Sequence, residues 1–178
     1  MCLVAGGCRS IKKTPAVAPA GDKNIAKLEI TSPAFRDGEA IPQKYTCDGA
    51  DVSPDLNWSA VPSGVTSMAL IVDDPDAPGG TWVHWVLFNI PPETMSLPEG
   101  VLQASSVEGV GMQGRNGSGN TGYNGPCPPK GKPHHYYFKL YALDSTLDLK
   151  PGASKTELEK AMQGHILAEG QFVGTYGR

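Results

Sequence analysis

Apolar residues gather in three short runs, at 68–72, 83–90 and 136–143, and each run stops at a Pro or an Asp. In the last two runs apolar side chains fill both alternating sets of positions, the pattern of a strand covered on both faces. Weaker apolar runs at 27–31, 56–58 and 172–176 predict further strands. Turn-forming residues cluster between them at Asp37-Gly38, Asp48-Gly49, Ser63-Gly64, Pro78-Gly79-Gly80 and Pro91-Pro92. Only residues 155–167 carry a helical period, with Leu158, Ala161, Met162 and His165 on one face. Ser154 stands at the capping position and Glu157 three residues on, as a capping box requires. The pattern predicts a mostly β protein with one helix in its C-terminal half and long Gly/Pro-rich loops.

Composition agrees: 22 Gly and 16 Pro in 178 residues suit many turns joining short strands. A formal charge of -3 supplies no basic field for a nucleic acid, so that partner is excluded. Residues 1–24 contain Ala, Pro, Gly and Lys but no aromatic side chain, and read as a leader or linker ahead of a domain at 25–178. Leu3-Val4-Ala5-Gly6-Gly7-Cys8 resembles the end of a bacterial lipoprotein signal with Cys8 as the lipidated residue, although the apolar stretch before it is shorter than a complete signal. The expected location is periplasmic or lipid-anchored at the cell envelope, with membrane contact only through that anchor. A cytoplasmic protein with a frayed start is the competing reading. Cys47 and Cys127 remain for the domain; an oxidising compartment would join them and a reducing one would leave two thiols.

Three constellations carry chemistry. Asp73-Asp74-Pro75-Asp76-Ala77-Pro78 follows the first strong strand, and carboxylates this close require counter-charges, hydrogen-bond donors or open water. An acidic turn in solvent satisfies that requirement as well as a binding site does. Trp82-Val83-His84 opens the next strand, where a period of two puts Trp82 and His84 on one face, continued by Val86, Phe88 and Ile90. The third, Gly125-Pro126-Cys127-Pro128-Pro129-Lys130-Gly131-Lys132-Pro133-His134-His135-Tyr136, runs a stiff loop into a core strand whose first same-face pair is His134 and Tyr136. If the three strand ends meet, a carboxylate beside two imidazoles would raise their pKa from roughly 6.5 and present N–H donors to a small anion.

Taken in order, Asp74-Pro75-Asp76-Ala77-Pro78, Trp82-x-His84, Gly125-x-x-Pro128-Pro129 and His134-x-Tyr136 resemble the signature of the phosphatidylethanolamine-binding protein family. Tyr45-Thr46-Cys47-Asp48-Gly49, His84-Trp85-Val86 and residues 161–167 resemble its prokaryotic, Raf-kinase-inhibitor-like branch. The likeness spans about residues 27–178. It implies a β-sandwich with a large central antiparallel sheet and an anion pocket mapped onto Asp74, Pro78, Trp82, His84, Pro129, His134 and Tyr136. It also implies a small anionic ligand such as phosphate or a phospho-headgroup, no cofactor, no catalysis, and a homodimer by analogy. The sequence departs from the branch at Asn116-Gly117, where Asn-Asp is expected.

Other chemistries fit less well. Gly109-Val110-Gly111-Met112-Gln113-Gly114 spells a dinucleotide fingerprint, but no helical period follows it, and residues 109–125 are expected to form a long flexible loop beside the pocket. No Gly-x-Ser-x-Gly elbow is present. Asp74, His84 and His134 have the composition of a two-His-one-carboxylate metal site, and relatives of the family act as inhibitors of a protease or a kinase through their surface; both stand behind anion binding.

Overall fold

A computed structural model describes Met1 and residues 25–178 of the chain; the leader and the expected lipidation of Cys8 lie outside the described residues. Two short strands come first, β1 (Ala26–Lys27) and β2 (Ile30–Thr31), where one strand at 27–31 was expected. They belong to different sheets, so the run is split. β3 (Leu56–Trp58) falls as expected, while β4 (Ser67–Asp74) and β5 (Trp82–Ile90) extend the strong apolar runs into their polar ends. β6 (Ser96–Leu97), β7 (Ser106–Val107) and β8 (Gly111–Gln113) are short, and β9 (His134–Leu143) takes in the residues read as a strand entry. The chain closes with α1 (Lys155–Met162) and β10 (Ile166–Tyr176).

The large sheet has the order β1-β10-β9-β4-β5-β8-β7, and β2-β3-β6 form a second sheet. Every pair is antiparallel except β1 with β10, which makes the central sheet mixed at its edge. Met68, Leu70 and Val72 of β4 join Leu56, Trp58, Tyr136 and Phe138 in a core shared by the two sheets. Ala69 and Ile71, pointing the other way, pack with Leu158 and Met162 of α1. β4 is thus buried along its whole length, as a continuous apolar run demands.

The helix stops at Met162, five residues short of the expected end. Its capping box at Ser154 and Glu157 forms as predicted. His165 leaves the helix face because its Nδ1 pairs with Asp144 at 2.7 Å and its backbone carbonyl accepts from the Asp144 N–H at 3.0 Å. Ile166 then starts β10, an 11-residue strand of which only the last five positions looked like one. Gly170 masks the pattern: a Cβ there would lie 2.2 Å from the Leu28 carbonyl oxygen, so the close approach of the backbone just after β1 excludes any side chain.

Residues 109–125 are not a loop throughout. β8 pairs with both β5 and β7, and Gln113 is fully buried. Its side chain accepts from Trp85 Nε1 at 2.7 Å and donates to the Leu102 and Ala104 carbonyls at 2.6 and 2.8 Å. A satisfied buried amide of this kind fastens the segment to the sheet. Among the described residues, no helix is long and apolar enough to cross a membrane.

Candidate ligand-binding site

β9, β4 and β5 are adjacent, so the C-terminal end of β4 lies between the N-terminal ends of its two neighbours. Asp73 pairs with Tyr137 on one side and Asp74 with Trp82 on the other, which sets the three strand ends level. A cavity of about 400 Å³ opens there. Asp74, Pro78, Trp82, His84, Pro129, His134 and Tyr136 all line it, so the structure brings together the residues that the three motifs supplied separately.

His84 reaches the cavity by a route its strand period does not describe. The pairing of β4 with β5 passes from Val72–Trp85 to Asp73–Val83, leaving His84 as the extra residue of a β-bulge. A bulge re-aims a side chain, and from here Trp85 and Leu87, rather than Val86 and Phe88, share the core beside the pocket. The expected continuation of His84 into Val86, Phe88 and Ile90 is therefore corrected. A second extra residue, near Asn89 at φ 53, returns Ile90 to that core.

Each imidazole uses Nδ1 on the protein. His84 Nδ1 lies 2.6 Å from the Asn124 carbonyl, which can only accept, so Nδ1 carries the proton. The Asn124 N–H donates in return to the His84 carbonyl at 2.9 Å. His134 Nδ1 lies 2.8 Å from Asp74 Oδ2, and Asp74 Oδ1 accepts the Asp76 N–H at 2.8 Å. The Asp74 carboxylate is thereby occupied in orienting His134 and closing its own turn. In neither histidine does Nε2 take part in these bonds. His84 and Tyr136 meet edge to face, ring centroids 5.1 Å apart, and His84 Nε2 and the Tyr136 hydroxyl are buried without a hydrogen-bond partner.

Electrostatics modify the expected picture of charged imidazoles. Burial pulls His84 below its usual value, and the Asn124 carbonyl with the Asp74, Asp73 and Asp51 carboxylates opposes this without reversing it. Neutral His84 dominates at pH 7. Burial, reinforced by Asp74 and Asp76, pushes the Tyr136 hydroxyl far up, so it stays protonated.

The remaining wall comes from residues that the motifs did not single out for the pocket. Cys47 and Cys127 form a disulfide, 80 residues apart in sequence, that lines the cavity and ties the 45–49 turn to the Pro-rich loop. Ser118, Asn124 and Gly125 supply a polar side, with Ser118 Oγ donating to Asn124 Oδ1 at 3.0 Å. At the departure from the family pattern, a Cβ on Gly117 would stand 2.6 Å from the Trp82 ring, so glycine lets that indole lie against the loop. His135 points outside and clamps Asp76 with its backbone N–H at 2.9 Å and Nδ1 at 2.7 Å. Nothing in the sequence reading joined these two residues, which lie 59 positions apart. Among the described residues, no group of three or more His, Cys, Asp or Glu is disposed to hold a metal ion.

Compared with known proteins, the family model for phosphatidylethanolamine-binding protein matches residues 31–177. A UPF0098 protein of Methanothermobacter thermautotrophicus is 51% identical over 151 residues, covering 85% of this chain and 99% of its own. One from Pyrococcus horikoshii is 51% identical over 161 residues, 89% of this chain and 80% of its own. Among solved structures, a phosphatidylethanolamine-binding protein homologue of Chlamydia trachomatis superposes with a TM-score of 0.78 at 41% identity, covering 85% of this chain and 98% of its own. E. coli YbcL, described as a member of the mammalian family of these proteins, gives a TM-score of 0.76 at 35% identity, with 86% and 99% covered.

Proposed function

We propose that this chain, which belongs to the phosphatidylethanolamine-binding protein family, binds a small anion or phospho-headgroup-like group, without chemical turnover, between the ends of β4, β5 and β9. The observation that carries the reading is the pair of buried, unpartnered polar atoms, His84 Nε2 and the Tyr136 hydroxyl, on two side chains that line a cavity of about 400 Å³. A buried polar group left unmade costs roughly 1–3 kcal/mol, and a ligand that bonds to both removes that cost. His134, oriented by Asp74, offers a third contact from β9, two residues before Tyr136 on the same face. Pro78, Pro129 and the disulfide stiffen the rim, so little order has to be gained on binding.

Calorimetric titration with inorganic phosphate tests the reading. His134→Ala is expected to weaken binding about tenfold or more, the scale of one charge-assisted hydrogen bond. Unchanged affinity in that variant would sink the proposal. The Cys47–Cys127 disulfide supports an oxidising location such as the periplasm. Thiol alkylation of freshly lysed cells, finding both cysteines blocked to reagent, is the expected result.

A further inference from the structure

We propose that the Cys47–Cys127 disulfide is a thiol-exchange site: a low-molecular-weight thiol attacks Cys47, Cys127 leaves as a thiolate beside Arg178, and the cavity wall they close comes open. The proposal stands whatever the cavity binds. Exposed disulfides are the labile and regulatory kind, in contrast to structural ones that resist reduction. Here Cys127 is exposed and Cys47 half-buried, and both line the cavity. The bond joins the 45–49 turn to the Pro-rich loop across 80 residues of sequence, so breaking it releases one side of the wall from the other.

The two sulfurs are not equivalent. Arg178 Nη1 donates to Cys127 Sγ at 3.7 Å, while Cys47 is followed directly by Asp48. The guanidinium is held in place: its Nε pairs with Asp48 Oδ2 at 3.1 Å, Tyr176 donates to the same oxygen at 2.7 Å, and the Arg178 carbonyl accepts the Gly131 N–H at 3.3 Å. A cation beside a sulfur stabilises its thiolate, and the thiol of lower pKa leaves faster. The incoming thiolate therefore bonds to Cys47 Sγ, and the electron pair of the broken S–S bond goes to Cys127 Sγ. A second thiol attacks the adduct's own sulfur in the mixed disulfide and frees Cys47. The two external thiols end joined as one disulfide, oxidised by two electrons, while the protein's disulfide is reduced to two thiols that take up their protons. Three bonds outlast the cleavage: Cys47 N–H to the Pro126 carbonyl at 3.1 Å, the Tyr123 hydroxyl to the Tyr45 carbonyl at 2.8 Å, and Gly125 N–H to Asp51 at 2.7 Å. They keep the separated cysteines close, so the reverse exchange with the external disulfide restores the wall.

Reduced glutathione is the probe, added to the full chain carrying Cys2→Ser and Cys8→Ser so that only this pair reacts. Samples quenched with N-ethylmaleimide and mapped by mass spectrometry should carry glutathione on Cys47 and maleimide on Cys127; the reverse placement overturns the proposal. Without denaturant, the rate is expected to rise in proportion to glutathione concentration. A rate that levels off at the speed of global unfolding would show that the bond is reached only in the unfolded chain, and would sink the idea. Arg178→Gln should slow exchange about threefold, the effect of about one pKa unit on the leaving thiol, and Arg178→Lys should restore most of it. Losing a merely structural contact would loosen the wall and speed exchange, so an unchanged or faster Arg178→Gln counts against the assigned role. Hydrogen exchange after reduction with dithiothreitol reads the opening: within the first minutes, before β4 and β5 exchange, amides at 45–51 and 123–131 should exchange about tenfold faster than in the oxidised protein. Equal exchange of those segments in both forms overturns the opening of the wall.

Discussion

Asp73 and Asp74 are neighbours in sequence and face opposite sides of the sheet, so the carboxylates that looked mutually repulsive never share an environment. Asp73, fully buried, bonds to Lys139 Nζ at 2.8 Å and to Lys155; Asp74 turns into the pocket toward His134; Asp76 is clamped outside by His135. Each acid therefore has its own counter-group, and period-two alternation does the sorting. His84 has a measurable consequence of its own. Its folded-state pKa lies below the unfolded value near 6.5. The unfolded chain thus takes the proton first, so His84's contribution is fully present above about pH 6.5 and is lost as pH falls from there through the lowered folded value. Urea unfolding of wild type between about pH 7 and pH 5 should show this loss, and His84→Asn should lack that part of it. Parallel pH profiles would count against it.

At the scale of elements, the strands with dense apolar runs were legible from sequence, and those that depend on a neighbour were not. β10 hides behind Gly170, whose identity is set by the Leu28 carbonyl across the gap rather than by strand propensity. α1 was overextended because Ile166, four residues after Met162, keeps a helical spacing, whereas pairing with Leu143 of β9 claims it for the sheet. The bulge at His84 is invisible along the chain, since it exists only in the register between β4 and β5. The disulfide joins two loop elements of the pocket wall across a separation of 80 residues. Cross-linking so long a loop restricts the unfolded chain, and replacing both cysteines by Ser is expected to cost about 2–4 kcal/mol of stability. Denaturant unfolding of the double variant checks this, and a loss under about 1 kcal/mol would show that the hydrogen bonds from Tyr123 to Tyr45 and from Cys47 to Pro126 suffice.

The whole molecule places two independent undertakings on the two faces of one sheet. One face carries the shared core and, at its end, the pocket; the other carries α1 and the Asp73 ion cluster. Asp73→Ala would leave two lysines without their buried partner and should destabilise the fold by roughly 2–4 kcal/mol, less than for a fully buried pair because both lysines reach solvent. Phosphate affinity measured well below the unfolding transition should stay within about twofold, as additivity for separate sites predicts. A large loss of binding in that variant would mean that the faces are coupled through β4.

By itself the sequence determined the strong strands, the helix start, the mostly β class and the residue types of the pocket, because each of these is written in local period, capping or spacing. Only the tertiary structure decided which atoms of those residues remain available. Nδ1 of both histidines and Oδ2 of Asp74 are consumed by groups distant in sequence, and burial by the surrounding strands keeps His84 neutral rather than charged. Hydrogen-bond satisfaction and desolvation are properties of the packed neighbourhood, and no spacing along a chain encodes them.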